Sequence, residues 1–221
     1  MKIAIIGGTG MHELFYKQPG TKLLEHRLER TPYGGPVIFY EVFLPMFQKY
    51  DLNIYYLNRH LASGEHRLPH MLFHEAYMYG LLRDLRAEAI LATSAVGAIK
   101  GSPNAYKPGD LVLPSRTINY VAEAYTFARP NYCHPTAFHR PVNFLFCPYL
   151  QRMMLGHLGQ SNSAPVLANS IKGPAFESQV EIDVRRRDGV DLVGMPTAYP
   201  EAILAGEASV PYVLLCGVSN M

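Results

Sequence analysis

The chain has 221 residues, of which 48% are apolar and 17% charged, with a formal net charge of +2. That length holds a sizeable core in a single domain spanning residues 1–221, and the apolar fraction excludes a disordered chain. Charge is scattered and nearly balanced, so no nucleic-acid partner is expected, and no segment is apolar for long enough to suggest a membrane span.

In chain order, Lys2 to Ile6 reads as a buried strand, stopped by Gly7-Gly8-Thr9-Gly10. Val37 to Leu44 and Asn53 to Leu57 read as further strands. A helix is predicted from Pro69, which suits a first helical position, to about Arg86. Ala89 to Thr93 reads as a short buried strand with Ser94-Ala95-Val96-Gly97 after its end, and Leu111 to Pro114 as another strand. A Pro- and aromatic-rich connection covers Ala124 to Pro148. The remainder alternates: helix Tyr149 to Leu158, strand Val166 to Ile171, helix Gln179 to Arg187, strand Leu192 to Met195, helix Glu201 to Ala208, strand Tyr212 to Val218. Alternating strands and helices predict an α/β fold: one domain with a mixed, mostly parallel central sheet flanked by helices. Arg185-Arg186-Arg187 reads as a solvated helix face rather than a binding patch. The three cysteines, Cys133, Cys147 and Cys216, form no CxxC pair and read as reduced, small hydrophobes, which points to a cytoplasmic protein.

In such sheets ligands gather at the carboxyl ends of strands. The glycine loop offers backbone N–H groups and the Thr9 hydroxyl, which suits a small anion or a tight turn. A dinucleotide fingerprint would need a third glycine where Glu13 stands. Arg59 and His60 follow another strand; an arginine fork can clamp phosphate. Ser94 and Ala95 offer further donors with little bulk. Three strand ends thereby converge on one anion. Phe176-Glu177 pairs an aromatic face with a carboxylate. It suits a planar heterocycle, and equally a core phenylalanine and a helix-start glutamate. Asn220 can both donate to and accept from a base edge. His66, His70 and His74, spaced by four, could share a helix face, but HExxH is absent and no metal site is expected.

Taken together these stretches resemble the trimeric class of purine nucleoside phosphorylases, including methylthioadenosine phosphorylases. The matching segments are Ile3 to Gly10, Thr31 to Gly34, Arg59-His60, Ala92 to Gly97, Pro108 to Asp110, Gly173 to Glu177, Gly194-Met195, Pro200 to Ala202 and Val218 to Asn220. The resemblance implies a pentosyltransferase in which inorganic phosphate, with no metal or organic cofactor, attacks C1′ of a purine nucleoside. Carried over, Thr9, Arg59, His60, Ser94, Ala95 and Thr197 hold phosphate, Thr197 following Pro196, which stands where the family has a hydroxyl residue. Met195 lies against the ribose, Phe176 packs on the base, and Glu177 and Asn220 read its edge. Asn220, Glu177 and His60 are the expected catalytic residues. The Glu177 and Asn220 pair resembles the branch that takes 6-oxopurines such as inosine or guanosine. The alternatives are a methylthioadenosine or methylthioinosine phosphorylase, a specialised pathway relative, or a non-catalytic nucleoside-binding homologue. His139 resembles a histidine that enters a neighbouring subunit's pocket, which implies a homotrimer. By the same resemblance the chain lacks the family's final C-terminal helix.

Overall fold

In the computed structural model, strand β1 (Lys2–Gly7) lies at the centre of the sheet, with Ala4 and Ile6 fully buried and Ile3 and Ile5 partly so, and with strand β4 (Asn53–Asn58) parallel on one side and strand β5 (Ala89–Ala98) parallel on the other. The structure describes residues 1–8, 11, 15, 17–47, 50–128, 142, 145–158, 165–195 and 197–221. Strands β2 (Lys22–Leu28) and β3 (Val37–Phe43) extend the sheet beyond β4 as antiparallel neighbours. Beyond β5 come β9 (Leu192–Gly194), β8 (Val166–Asn169) and β7 (Arg116–Asn119), while β10 (Tyr212–Asn220) pairs along β5 and carries the short β6 (Leu111–Val112). Among the described residues, five of the nine strand pairings are parallel. This is the expected mixed, mostly parallel sheet in one domain.

Helices α1 (His74–Tyr79) and α4 (Ala198–Glu207) pack on one core with β5 and β10, through Ala76, Tyr77, Met78, Ala202, Leu204 and Ala205. Helices α2 (Pro148–Leu158) and α3 (Gln179–Arg187) complete the described set. No described helix is long and apolar enough to cross a membrane.

Several elements differ from the sequence reading. The helix expected from Pro69 divides into a 3-10 turn at Pro69–Met71, α1, and a π turn at Gly80–Asp84. His66, His70 and His74 therefore share no helix face. Strands β2 and β7 were not expected: β2 has a mixed, half-exposed pattern and becomes a strand by pairing with β3. Ser94 to Gly97 continue β5 instead of following it, and Ser219 and Asn220 lie within β10. Arg185 is not on a solvated face. It is buried, stacks 4.1 Å over the Tyr120 ring, and donates to the Ser170 hydroxyl and carbonyl. Cys216 is fully buried and its thiol pushed up by desolvation; Cys147 is half-buried, and Cys133 lies outside the described residues.

Candidate active site

The sheet opens along one edge of β5. Strand β10 occupies the other edge from Ile90 to Gly97. On the open edge β1 runs alongside as far as Ala92, and β9 runs back in the opposite direction from Ala98 to Gly97. The carboxyl ends of β1 and β9 thus face each other across Thr93 to Val96, which have no strand partner on that side among the described residues. Alternate residues of a strand point their N–H and C=O to the same edge. The Thr93 carbonyl faces the gap, where it accepts from Arg59, so the Ala95 N–H faces it too.

A cavity of about 360 Å³ fills this gap. Arg59, His60, Ser94, Ala95, Thr197, Met195, Phe176, Glu177 and Asn220 all line it. Nine residues named from sequence therefore reach one cavity. Thr9 and His139 lie outside the described residues.

Each wall has a local cause. Asn58 caps the 3-10 turn Arg59–Leu61 by accepting from the His60 N–H at 3.1 Å. The following loop closes on itself: the Arg67 N–H donates to the His60 carbonyl, and His60 Nδ1 lies 2.8 Å from the Arg67 carbonyl. A carbonyl only accepts, so this contact fixes the Nδ1–H tautomer and leaves the lone pair on Nε2. Burial, and to a smaller degree the Arg59 charge, lower the His60 pKa despite the Arg67 hydrogen bond, so the ring is neutral at pH 7.

Arg59 is 1% exposed. Its Nε and Nη2 donate to the two oxygens of Glu201 at 2.5 and 2.9 Å, and Nη1 donates to the Thr93 carbonyl at 3.0 Å. The arginine expected to clamp an anion with its fork gives one edge to a carboxylate instead. Beyond these three bonds Nη1 and Nη2 each carry one more N–H, and the Tyr77 hydroxyl also hydrogen-bonds the guanidinium. Glu201 also accepts from the Tyr77 and Tyr212 hydroxyls at 2.7 and 2.8 Å. Burial alone would raise its carboxyl, but the Arg59 charge and the donated hydrogen bonds hold it below the usual range. Burial and the same carboxylate push both tyrosine hydroxyls up.

The role of the glycine loop is corrected in its described part. The Gly8 N–H donates to the Thr93 hydroxyl at 3.0 Å rather than pointing at a ligand. A Cβ at Gly8 would lie 2.6 Å from both Arg59 Nη1 and the Thr93 carbonyl oxygen. Glycine is required here because arginine and strand approach the backbone so closely.

On the far side, Thr197 is buried, with its hydroxyl 3.5 Å from that of Ser94. Phe176 is 77% exposed, which excludes the core-phenylalanine reading. Glu177 precedes the helix, since Ser178 is the cap of α3 and forms a capping box with Glu181. Arg185 ties α3 to Ser170, at the start of the segment that carries Phe176 and Glu177. Gly97 lies between β9 and β10, where a Cβ would meet Val193 at 3.2 Å and the Asn220 amide oxygen at 3.3 Å. The Ser219 hydroxyl is within donating distance of both the Val96 carbonyl, at 3.2 Å, and the Asn220 amide oxygen, at 3.0 Å.

A sheet with this gap and this set of donors has close relatives. Residues 2–221 match the phosphorylase superfamily. The chain belongs to that superfamily. It is 32% identical over 222 residues to a probable S-methyl-5′-thioinosine phosphorylase of Methanopyrus kandleri, covering 99% of this chain and 78% of that relative. It is equally 32% identical over 228 residues to a probable 6-oxopurine nucleoside phosphorylase of Moorella thermoacetica, covering 100% and 80%. Among solved structures, a double mutant of the adenosine/methylthioadenosine phosphorylase of Schistosoma mansoni in complex with adenine gives a TM-score of 0.77 at 25% identity, over 100% of this chain and 81% of that one. As a member of this group the chain is an enzyme of the pentosyltransferase class.

Sequence reading gave no role to Glu201, Tyr77, Tyr212 or Thr93. The available signal was a carboxylate in the first turn of the apolar helix Ala198–Glu207, flanked on both sides by apolar residues.

Proposed function

We propose that this phosphorylase cleaves a 6-oxopurine nucleoside, such as inosine or guanosine, with inorganic phosphate, giving the free base and ribose 1-phosphate. The observation that carries the reading is the common cavity. Anion donors (Arg59, Ser94, the Ala95 N–H, Thr197) share it with an aromatic ring, a carboxylate and an amide (Phe176, Glu177, Asn220). Phosphate held by those donors attacks C1′ as the C1′–N9 bond breaks. Its negative charge stabilises the oxocarbenium-like sugar between the two partners. The electron pair of that bond passes into the purine, which takes up a proton at N7 from solvent while the hydrogen phosphate gives up its own proton on becoming the ester. Asn220 accepts from the N7–H and donates to O6, so it binds the departing base more tightly than the intact nucleoside. Glu177 accepts from N1–H, which 6-oxopurines carry and adenine lacks. Neutral His60, through Nε2, accepts a hydroxyl proton from the bound phosphate or sugar. Thr9 completes the phosphate donors, Met195 lies against the ribose, and His139 of a neighbouring copy covers the sugar in a cytoplasmic homotrimer. No metal or organic cofactor enters this chemistry.

One observation favours a methylthioinosine substrate as the second reading. Pro69 and Met195 give the cavity apolar wall beside the polar His60, and a methylthio group gains from such contact as a hydroxyl does not. Initial rates of base release from inosine, guanosine, adenosine, methylthioinosine and methylthioadenosine test both. Faster release from the 6-oxo member of each pair is expected; faster release from the 6-amino member contradicts the base assignment.

A further inference from the structure

Arg59 is the single arginine or lysine among the described residues that line the cavity. Left to itself an arginine side chain has many rotamers, and each costs entropy to fix when a ligand arrives. Here the fixing is already done from behind. Glu201 is 0% exposed and is absent from the cavity wall, yet both its oxygens bind Arg59. The carboxylate is itself held by Tyr77 from α1 and Tyr212 from β10, so four donors meet two oxygens. The Thr93 carbonyl fixes Nη1 from the strand that also carries Ser94 and Ala95.

We infer that Glu201 is a positioning residue for phosphate: with Tyr77 and Tyr212 it locks Arg59 so that its remaining N–H groups face the anion. The inference rests on the phosphate reading of the cavity. It differs from a purely stabilising role in what it predicts for the two ends of the cleft. A stabilising pair, when weakened, loosens everything; a positioning pair loosens phosphate and spares the base. In Glu201→Gln an amide NH₂ replaces one acceptor, so one of the Arg59 or tyrosine donors meets another donor and the guanidinium turns away.

The test is calorimetric titration of the whole chain with inorganic phosphate and, separately, with hypoxanthine. Glu201→Gln is expected to weaken phosphate binding about tenfold, the size of one lost charge-assisted hydrogen bond, with hypoxanthine changed less than about twofold. Glu201→Asp keeps the carboxylate one methylene short and recovers part of the phosphate affinity. Tyr77→Phe and Tyr212→Phe keep the ring volume, and each weakens phosphate by roughly two- to fivefold. A folded Glu201→Gln that binds phosphate like wild type, or loses both ligands equally, overturns the inference. Should Glu201→Gln fail to fold, unchanged phosphate affinity in both tyrosine variants overturns it. Wild type that binds phosphate but releases no base from any nucleoside contradicts the proposed function, and the variants still decide the role of Glu201. Wild type that binds no phosphate overturns both.

Discussion

At the end of the cleft proposed to hold the anion, Arg59 and Glu201 are buried, paired and hydrogen-bonded to α1, β5 and β10; at the end proposed to hold the base, Phe176 is exposed and Asn220 lies on the open end of β10. The same folding energy that makes the core also places the anion donors, whether or not a ligand is present. The aromatic face gains its burial only when something covers it. The chemistry on each side suits this division. A phosphate needs charge and directed N–H groups fixed in advance, since turning them during reaction is costly. A purine needs a flat surface and a few edge contacts, which close on the ligand as it arrives.

Substitutions at the two ends are therefore expected to separate. The largest effect is expected from Arg59→Met, which leaves Glu201 charged and unpaired in the core. Loss of about 3–5 kcal/mol, read from denaturant unfolding, follows from breaking a buried pair on one side. Gly8→Ala comes next. Its Cβ meets Arg59 Nη1 and backbone oxygen of Thr93, so about 1–3 kcal/mol is lost by overpacking, and the phosphate KM rises more than the nucleoside KM.

Acid exposes the same asymmetry. The Glu201 carboxyl is lowered on folding, so its contribution is complete above the unfolded-chain value of 4.5 and is lost as pH falls through the folded value. His60, also lowered on folding, destabilises the native state only below its unfolded value of 6.5, where the unfolded chain takes up the extra proton. Urea melts from pH 7 to pH 3 are expected to show a shallow fall first and a steeper one below 4.5. Glu201→Gln is expected to make the steeper limb shallower, Glu123 and Glu181, also lowered on folding, still contributing to it.

Gly97→Ala is the smallest and tests the base end. Val193 and Asn220 must each give by a few tenths of an ångström, so the nucleoside KM rises by roughly two- to tenfold while phosphate KM stays within error. Equal changes in the two constants in both glycine variants would remove the contrast between the ends.

The cavity wall was largely legible in the sequence because its residues sit where strands stop, and strands such as Lys2–Gly7 stop at glycines. The bounds of the helix Gln179–Arg187 were legible; its Ser178 cap and the burial of Arg185 were not. Ser94 to Gly97 misled because small residues suggest a loop, whereas here they extend a strand that pairs with β10 on one side and, across Thr93 to Val96, has no strand partner on the other among the described residues. Strand β2 was hidden because its pairing partner, not its own pattern, makes it a strand. Glu201 was hidden for a similar reason. Its place in an apolar helix and in the Pro200 to Ala202 match marks it without giving it a role; its partners Arg59, Tyr77 and Tyr212 come from three other elements, and only the folded chain brings four donors to one carboxylate.

The most direct measurement is hypoxanthine release from inosine by the purified chain, with and without inorganic phosphate. Release that depends on phosphate is expected, with one ribose 1-phosphate formed for each base. Release at the same rate without phosphate would contradict it, because the donors around Arg59, Ser94 and Thr197 would then be serving something other than the attacking anion.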